Sequence, residues 1–221
     1  LIEDGNFDII AIFGADHIYR MDLQQMIDFH VRKRADVTIS ALPVPIKEAS
    51  SFGVIQVQEK QRVTGFKEKP KRPKSIPGRP DEAFASMGNY LFNKDTLIDL
   101  LYEDAADTES SHDFGKDILP RILKKSRVFA YDFRRNRIPG ITKKEIGYWR
   151  DVGTIRSFWE ATMDLRNIKP EFNLYNKSWP IKTSNYGTPP AKFVFNEDGR
   201  RGQAVNSIVS EGSIISGGIV Q

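Results

Sequence analysis

The run Phe7–Phe13, apolar but for Asp8, stops abruptly at Gly14, Ala15, Asp16 and His17. A short apolar run closed by turn residues reads as a strand buried on both faces. The next stretch is helical: in DLQQMIDFHVRKR, Leu23, Met26, Ile27 and Val31 fall on one face, with Asp22 as N-cap. A buried strand that turns into an amphipathic helix and delivers a carboxylate at the turn restricts the chain to the α/β class.

The rest of the chain continues the alternation. ADVTISALPV returns as a strand, and FGVIQVQE and RVTGFKEK pair as strands across a polar turn at Glu59–Gln61. ASMGNYLF is a further strand after a Pro/Lys-rich loop. TLIDLLYEDA and FGKDILPRILKK have helical periodicity, the second broken or kinked at Pro120. VFAYDF is a short strand and YWRDVG a strand end. TIRSFWEATMDLRN is a helix capped by Thr154, with Ile155, Phe158, Trp159, Thr162 and Met163 at helical spacing. Strands alternating with helices predict a mostly parallel, Rossmann-like sheet with helices on both faces and one inserted antiparallel hairpin.

The last sixteen residues obey another rule. Ile208, Ile214 and Val220 are six apart, as are Val209 and Ile215, Ser210 and Ser216, and Gly212 and Gly218. A six-residue period with a recurrent aliphatic position marks a hexapeptide β-helix, of which this is the beginning. The predicted division is a catalytic domain over 1–168, a Pro-rich linker over 169–204 and the β-helix start over 205–221.

Composition excludes several chemistries. With no cysteine there is no disulfide, thiolate catalysis or cysteine-bound zinc. No run approaches the length of a membrane span and nothing resembles a signal peptide, so a cytoplasmic protein without a membrane partner is expected. The net charge is +4, with Lys67, Lys69, Lys71, Arg72, Lys74 and Arg79 crowded in one segment and RRNR at 134–137. No stacking aromatics interleave these residues, which argues for a solvated loop and against a nucleic-acid partner.

Ligands of open α/β sheets bind beyond the carboxyl ends of strands. Asp16 stands at such an end, and as a hard oxygen ligand it suits Mg²⁺ beside a phosphate, or else it caps the turn. Asp151, followed by Gly153, stands at a second strand end, so the two acids could share one cation. His17, His30 and His112 are scattered, which disfavours a triad or a zinc site. In FKEKP, Lys69 could neutralise a phosphate and Glu68 accept from sugar hydroxyls, or both could be surface charges. Gly53 would let a ligand approach the backbone, and Ser86 and Gly88 offer a short donor and clearance. The Asp-Phe-Gly of SSHDFGKD is too weak alone to suggest a kinase.

Together, DHIYRMD, PVPIKEASSFGV, FKEKP, SMGNYLF, SSHDFGKDILP, YWRDVGT, WPIKT and PPAKFV resemble the bacterial glucose-1-phosphate adenylyltransferases across essentially the whole chain. The resemblance implies a nucleotidyltransferase domain followed by a left-handed parallel β-helix. It implies adenylyl transfer from ATP to α-D-glucose 1-phosphate, giving ADP-glucose and pyrophosphate with Mg²⁺, in glycogen synthesis. It makes Asp16 and Asp151 the metal acids and Lys69 the sugar-phosphate ligand. Gly53, Glu68 and Ser86 are then placed around the glucose, and Asp113 and Trp149 become supporting residues. A homotetramer controlled by small-molecule effectors is the implied assembly. The family's Gly-rich nucleotide loop is absent from these 221 residues, which implies an internal fragment that need not be active alone, with an exposed sheet edge. Ala15 stands where the family usually has Gly, and Ser213 where it usually has Cys. Two alternatives remain: a non-catalytic regulatory paralogue, and a nucleotidylyltransferase using UTP, dTTP or GTP.

Overall fold

Twelve consecutive residues, Glu82–Asn93, form the strand around which the first part of the chain is organised. The computed structural model describes residues 2–123, 125–195 and 199–221. In chain order the elements are β1 (Ile9–Phe13), β2 (His17–Tyr19), α1 (Leu23–Lys33), β3 (Val37–Pro45), β4 (Val54–Val57), β5 (Val63–Lys67) and β6 (Glu82–Asn93). There come next α2 (Lys94–Ala105), a π-helical turn (Phe114–Ile118), α3 (Leu119–Ile122), β7 (Val128–Asp132), β8 (Trp149–Asp151) and α4 (Ile155–Leu165). The C-terminal strands are β9 (Lys192–Val194), β10 (Gln203–Ala204), β11 (Ile214–Ser216) and β12 (Ile219–Val220). The chain divides into two compact units: one takes the residues up to Ala15 and Arg20–Arg137, the other Asp16–Tyr19 and the chain from Ile138 onward.

The first unit is an α/β sheet of order β5-β4-β6-β3-β7, with β1 also on β6. β3 runs along one edge of β6; on the other edge β4 pairs beside Phe84 and Ala85, and β1 beside Asn89–Asn93. All of these pairings are antiparallel, as is β4 with β5, and only β3 with β7 is parallel. The expectation of a mostly parallel sheet is therefore corrected for these strands. The reason is β6, which reverses the direction of the chain between its neighbours and needs no crossover helix to reach them. β1 is likewise not buried on both faces. Its described partner is β6 alone, and Ala11 and Phe13 are exposed.

Helices cover both faces, as the alternation predicts. Val37, Ile39 and Ala41 of β3, Tyr90 and Phe92 of β6 and Val128 and Ala130 of β7 pack with Leu97 and Leu100 of α2 and Leu119 and Ile122 of α3. On the opposite face Leu91 and Tyr131 meet Met26 and Phe29 of α1. Side chains such as Phe92, Leu91 and Leu97 are fully buried, each contributing roughly 1.5–3 kcal/mol of transfer free energy. A buried polar contact joins α1 to the sheet. His30, 2% exposed, has Nδ1 2.8 Å from Thr38 Oγ1 and Nε2 3.0 Å from Asn93 Oδ1. Asn93 Nδ2 donates to the Ala35 carbonyl, so its Oδ1 must accept, which assigns the ring proton to Nε2.

In the second unit β2 and β8 form an antiparallel pair that aligns His17 with Asp151 and Tyr19 with Trp149. α4 begins at a reciprocal cap: Thr154 Oγ1 accepts from the Ser157 amide and Ser157 Oγ from the Thr154 amide. Its Ile155, Phe158 and Trp159 are exposed rather than core residues. Farther on, β9 pairs in parallel with β11 and β10 with β12. Parallel pairing thus reaches back to Lys192, inside the segment whose composition marks it as a linker.

Candidate active site

The second unit brings Asp16 and Asp151 together. Asp16 precedes β2 and Asp151 ends β8, and the antiparallel register sets them side by side, with the Val152 amide donating to the Asp16 carbonyl at 2.9 Å. Ligand atoms of Asp16, His17 and Asp151 all lie within 4.8 Å of one another. His17 Nε2 is 3.4 Å from Asp16 Oδ1, and its ring tilts against Trp149 at 5.1 Å between centroids. Gly153 keeps this space open. Its amide donates to Asp151 Oδ1 at 2.8 Å, and a Cβ there would stand 2.9 Å from Asp16 Oδ2 and 3.1 Å from Asp151 Oδ1. Two exposed carboxylates around a gap that a methyl group would fill suit a hard divalent cation that retains several waters, as Mg²⁺ does.

The first unit carries Gly53, Glu68, Lys69, Ser86 and Asp113, with Gly53 set against Phe66 and Glu68. Gly53 is 2.8 Å through its carbonyl from the Ser86 amide, and the Lys69 amide donates to the Phe52 carbonyl at 3.1 Å. Glu68 and Lys69 are both exposed, and neither side chain forms a hydrogen bond or ion pair among the described residues. Lys69 holds a left-handed φ of 40°, a conformation uncommon outside glycine that turns the chain sharply before Pro70. The bareness of Gly53 serves Phe66 and Glu68 directly, since a Cβ would meet Phe66 Cζ at 2.5 Å and Glu68 Oε2 at 2.8 Å.

Several neighbours were not foreseen from the sequence. Opposite β3, four steps of β6 from Ser86 to Tyr90 face two steps from Ala41 to Ile39, with Gly88 at φ 71° in the bulge. This irregularity turns Ser86 Oγ toward Tyr90 OH, 3.5 Å away. Burial raises the Tyr90 pKa, opposed by the Ser86 hydrogen bond and reinforced by the charges of Asp113 and Glu68, so the phenol keeps its proton as a donor. Phe114 stacks on Tyr90 at 5.8 Å and 16°. Gly115 lies against Phe66 and Glu68, where a Cβ would be at 3.1 and 3.2 Å. Asp113 caps the π-helical turn, accepting from the Lys116 amide at 2.8 Å. Tyr90, two residues beyond Gly88 in the same strand, has a signal in the sequence; Phe114 arrives from a separate turn.

Residues 1–168 match the family model described as nucleotidyl transferase, and residues 189–221 match that of the GlmU-like, C-terminal hexapeptide. The chain belongs to the nucleotidyl transferase family. Among curated proteins it is similar to a glucose-1-phosphate adenylyltransferase of Thermus thermophilus, 53% identical over 96% of this chain and 51% of the relative. Proteins of the same name from an Anaeromyxobacter species and from Geobacter metallireducens are 52% and 53% identical, over 99% and 100% of this chain and 54% and 53% of their own lengths. The chain thus spans about half the length of the curated relatives it matches. Among the described residues no helix is long and apolar enough to cross a membrane.

Proposed function

We propose that the protein containing this chain transfers the adenylyl group of ATP to α-D-glucose 1-phosphate, giving ADP-glucose and pyrophosphate. The observation that carries this reading is the pair Asp16 and Asp151, held beside each other with Gly153 bare between them. The names of relatives at 52–53% identity supply the substrates.

The sugar phosphate oxygen attacks the α-phosphorus in line, a P–O bond forms as the bond to the bridging oxygen breaks, and pyrophosphate leaves. No covalent enzyme intermediate is needed, so positioning and charge neutralisation carry the rate. Lys69, whose ammonium is uncommitted, binds the sugar phosphate. Glu68 accepts hydrogen bonds from glucose hydroxyls, while Ser86 and the protonated Tyr90 donate to the sugar. Asp16 and Asp151 would hold Mg²⁺, which when bound supplies neutralisation of phosphate charge. Trp149 backs His17 and fixes the wall beside these acids. The motif resemblance carries the rest of the reading: a cytoplasmic role in glycogen synthesis, as a homotetramer under small-molecule control.

The test is pyrophosphate release from ATP and glucose 1-phosphate with Mg²⁺ by the intact protein, with UTP and dTTP in parallel. ATP-selective release that disappears in Asp16→Asn supports the reading. Preference for UTP or dTTP would reassign the nucleotide, and no release from a folded protein that still binds glucose 1-phosphate would favour a regulatory subunit.

A further inference from the structure

Asp104, near the end of α2, is a buried carboxylate that the proposed reaction does not use; the residue is 3% exposed. It accepts from Ser110 Oγ at 2.5 Å through Oδ1 and lies 2.7 Å from His112 Nδ1 through Oδ2, with Arg121 Nη1 3.8 Å away. Arg121 is held in turn by Asp107 at 2.5 Å. Both residues that Asp104 grips belong to the loop that leads into Asp113, Phe114 and Gly115. On the far side of that loop Asp117 Oδ2 accepts from the Ser111 amide, Ser111 Oγ and the Asp113 amide, at 3.1, 2.5 and 3.2 Å. The loop is therefore clamped between two carboxylates.

The conformation between the clamps is strained. His112 has φ 59°, a left-handed backbone that persists only where the surroundings over-determine it. Directly after it come the three residues that face the predicted sugar pocket: Asp113 at the cap, Phe114 on Tyr90, and Gly115 against Glu68 and Phe66. We propose that Asp104 is a positioning residue, which through His112 and Ser110 fixes the loop that aims Asp113, Phe114 and Gly115 at the sugar phosphate. This deepens, and rests on, the proposed function of that pocket. Hydrogen bonds to a carboxylate are worth more than neutral ones, so loss of the His112 contact should be read directly in sugar-phosphate affinity.

The experiment is calorimetric titration of the intact protein containing this chain with glucose 1-phosphate, in wild type, Asp104→Ala, His112→Ala and His112→Asn. Asn tolerates a left-handed φ and keeps a donor near the Nδ1 position. His112→Ala and Asp104→Ala are expected to weaken binding about tenfold, the loss of one hydrogen bond to a charged group. His112→Asn should restore wild-type affinity, with the thermal midpoints of both His112 variants unchanged. Equal affinity in His112→Ala and wild type, or failure of His112→Asn to rescue, overturns the proposal. If Asp104→Ala does not fold, the two His112 variants decide it. If wild type binds no glucose 1-phosphate, the functional reading of the pocket fails, and amide hydrogen exchange at Phe114 and Gly115 tests positioning alone. Faster exchange in His112→Ala than in His112→Asn then supports the clamp, and equal rates overturn it.

Discussion

Glu68 Oε2 sits in space that the missing side chain of Gly53 leaves open: a Cβ on Gly53 would come within 2.8 Å of it. The same Cβ would be 2.5 Å from Phe66 Cζ, and Phe66 is buried, so its ring has little room to yield. Gly53→Ala should destabilise the chain by about 1–3 kcal/mol, the usual cost of overpacking, and should weaken glucose 1-phosphate binding by displacing Glu68. Urea unfolding and sugar-phosphate titration check the two effects. Gly115→Ala meets Glu68 Oε2 at 3.2 Å and Phe66 Cζ at 3.3 Å and should be milder in both. Wild-type behaviour of Gly53→Ala in both measurements would show that Phe66 and Glu68 relax freely.

Gly153 makes a parallel case beside the two acids. Gly153→Ala places a methyl 2.9 Å from Asp16 Oδ2, inside the gap between the carboxylates. Mn²⁺ affinity, read by electron paramagnetic resonance, should fall in this variant and in Asp16→Asn and Asp151→Asn. Turnover of the intact protein should drop roughly a hundredfold or more in the two Asn variants, the scale of losing one strong electrostatic contact in the transition state. Unaltered Mn²⁺ binding in Asp16→Asn would remove Asp16 from the metal.

The residues that were legible in the sequence are those whose role depends on chain-local chemistry. Thr154 reads as a cap because it directly precedes the helical spacing that starts at Ile155, and β4 and β5 read as a hairpin because their alternation flanks a polar turn. Asp16 and Asp151 read as a pair because each ends a strand-like segment. Strand direction was not legible, since nothing local in ASMGNYLF says that it runs against β1, β3 and β4 at once. Nor was the aromatic part of the pocket: the bulge at Gly88 resets the alternation and brings Tyr90 to Ser86, and Phe114 arrives from a distant turn. Helical spacing on α4 gave an apolar stripe, but spacing alone does not say that anything covers it, and Ile155 is 91% exposed.

His30 makes stability depend on pH in a definite direction. Burial lowers its pKa, against the opposing effects of the Asn93 hydrogen bond and the Asp36 charge. The unfolded chain therefore takes up this proton before the folded one does. Its contribution is fully present above the ordinary histidine value of about 6.5 and is lost as pH falls below it, by at most about 1.4 kcal/mol per pH unit for one proton. Urea midpoints measured between pH 7.5 and 5 should decline more steeply in wild type than in His30→Gln. Identical slopes would mean that His30 takes up its proton equally in both states.

Thr154 lies between Asp151, at the end of β8, and the start of α4, and its effect should be separable from that of the Asp16–Asp151 pair. Its hydroxyl accepts from the Ser157 amide at 3.1 Å and Ser157 Oγ accepts from the Thr154 amide at 3.2 Å, satisfying two donors that the helix start leaves without intrahelical partners. Thr154→Ala should cost about 1 kcal/mol and Thr154→Ser much less, because Ser keeps the acceptor. The loss should appear in α4 itself, as faster amide exchange over Arg156–Phe158. Asp16 and Asp151 are held by their own strand register and by the Gly153 and Val152 amides, so Mn²⁺ affinity should survive the substitution nearly intact. A fall in Mn²⁺ affinity as large as that in Gly153→Ala would instead make the cap part of the metal site.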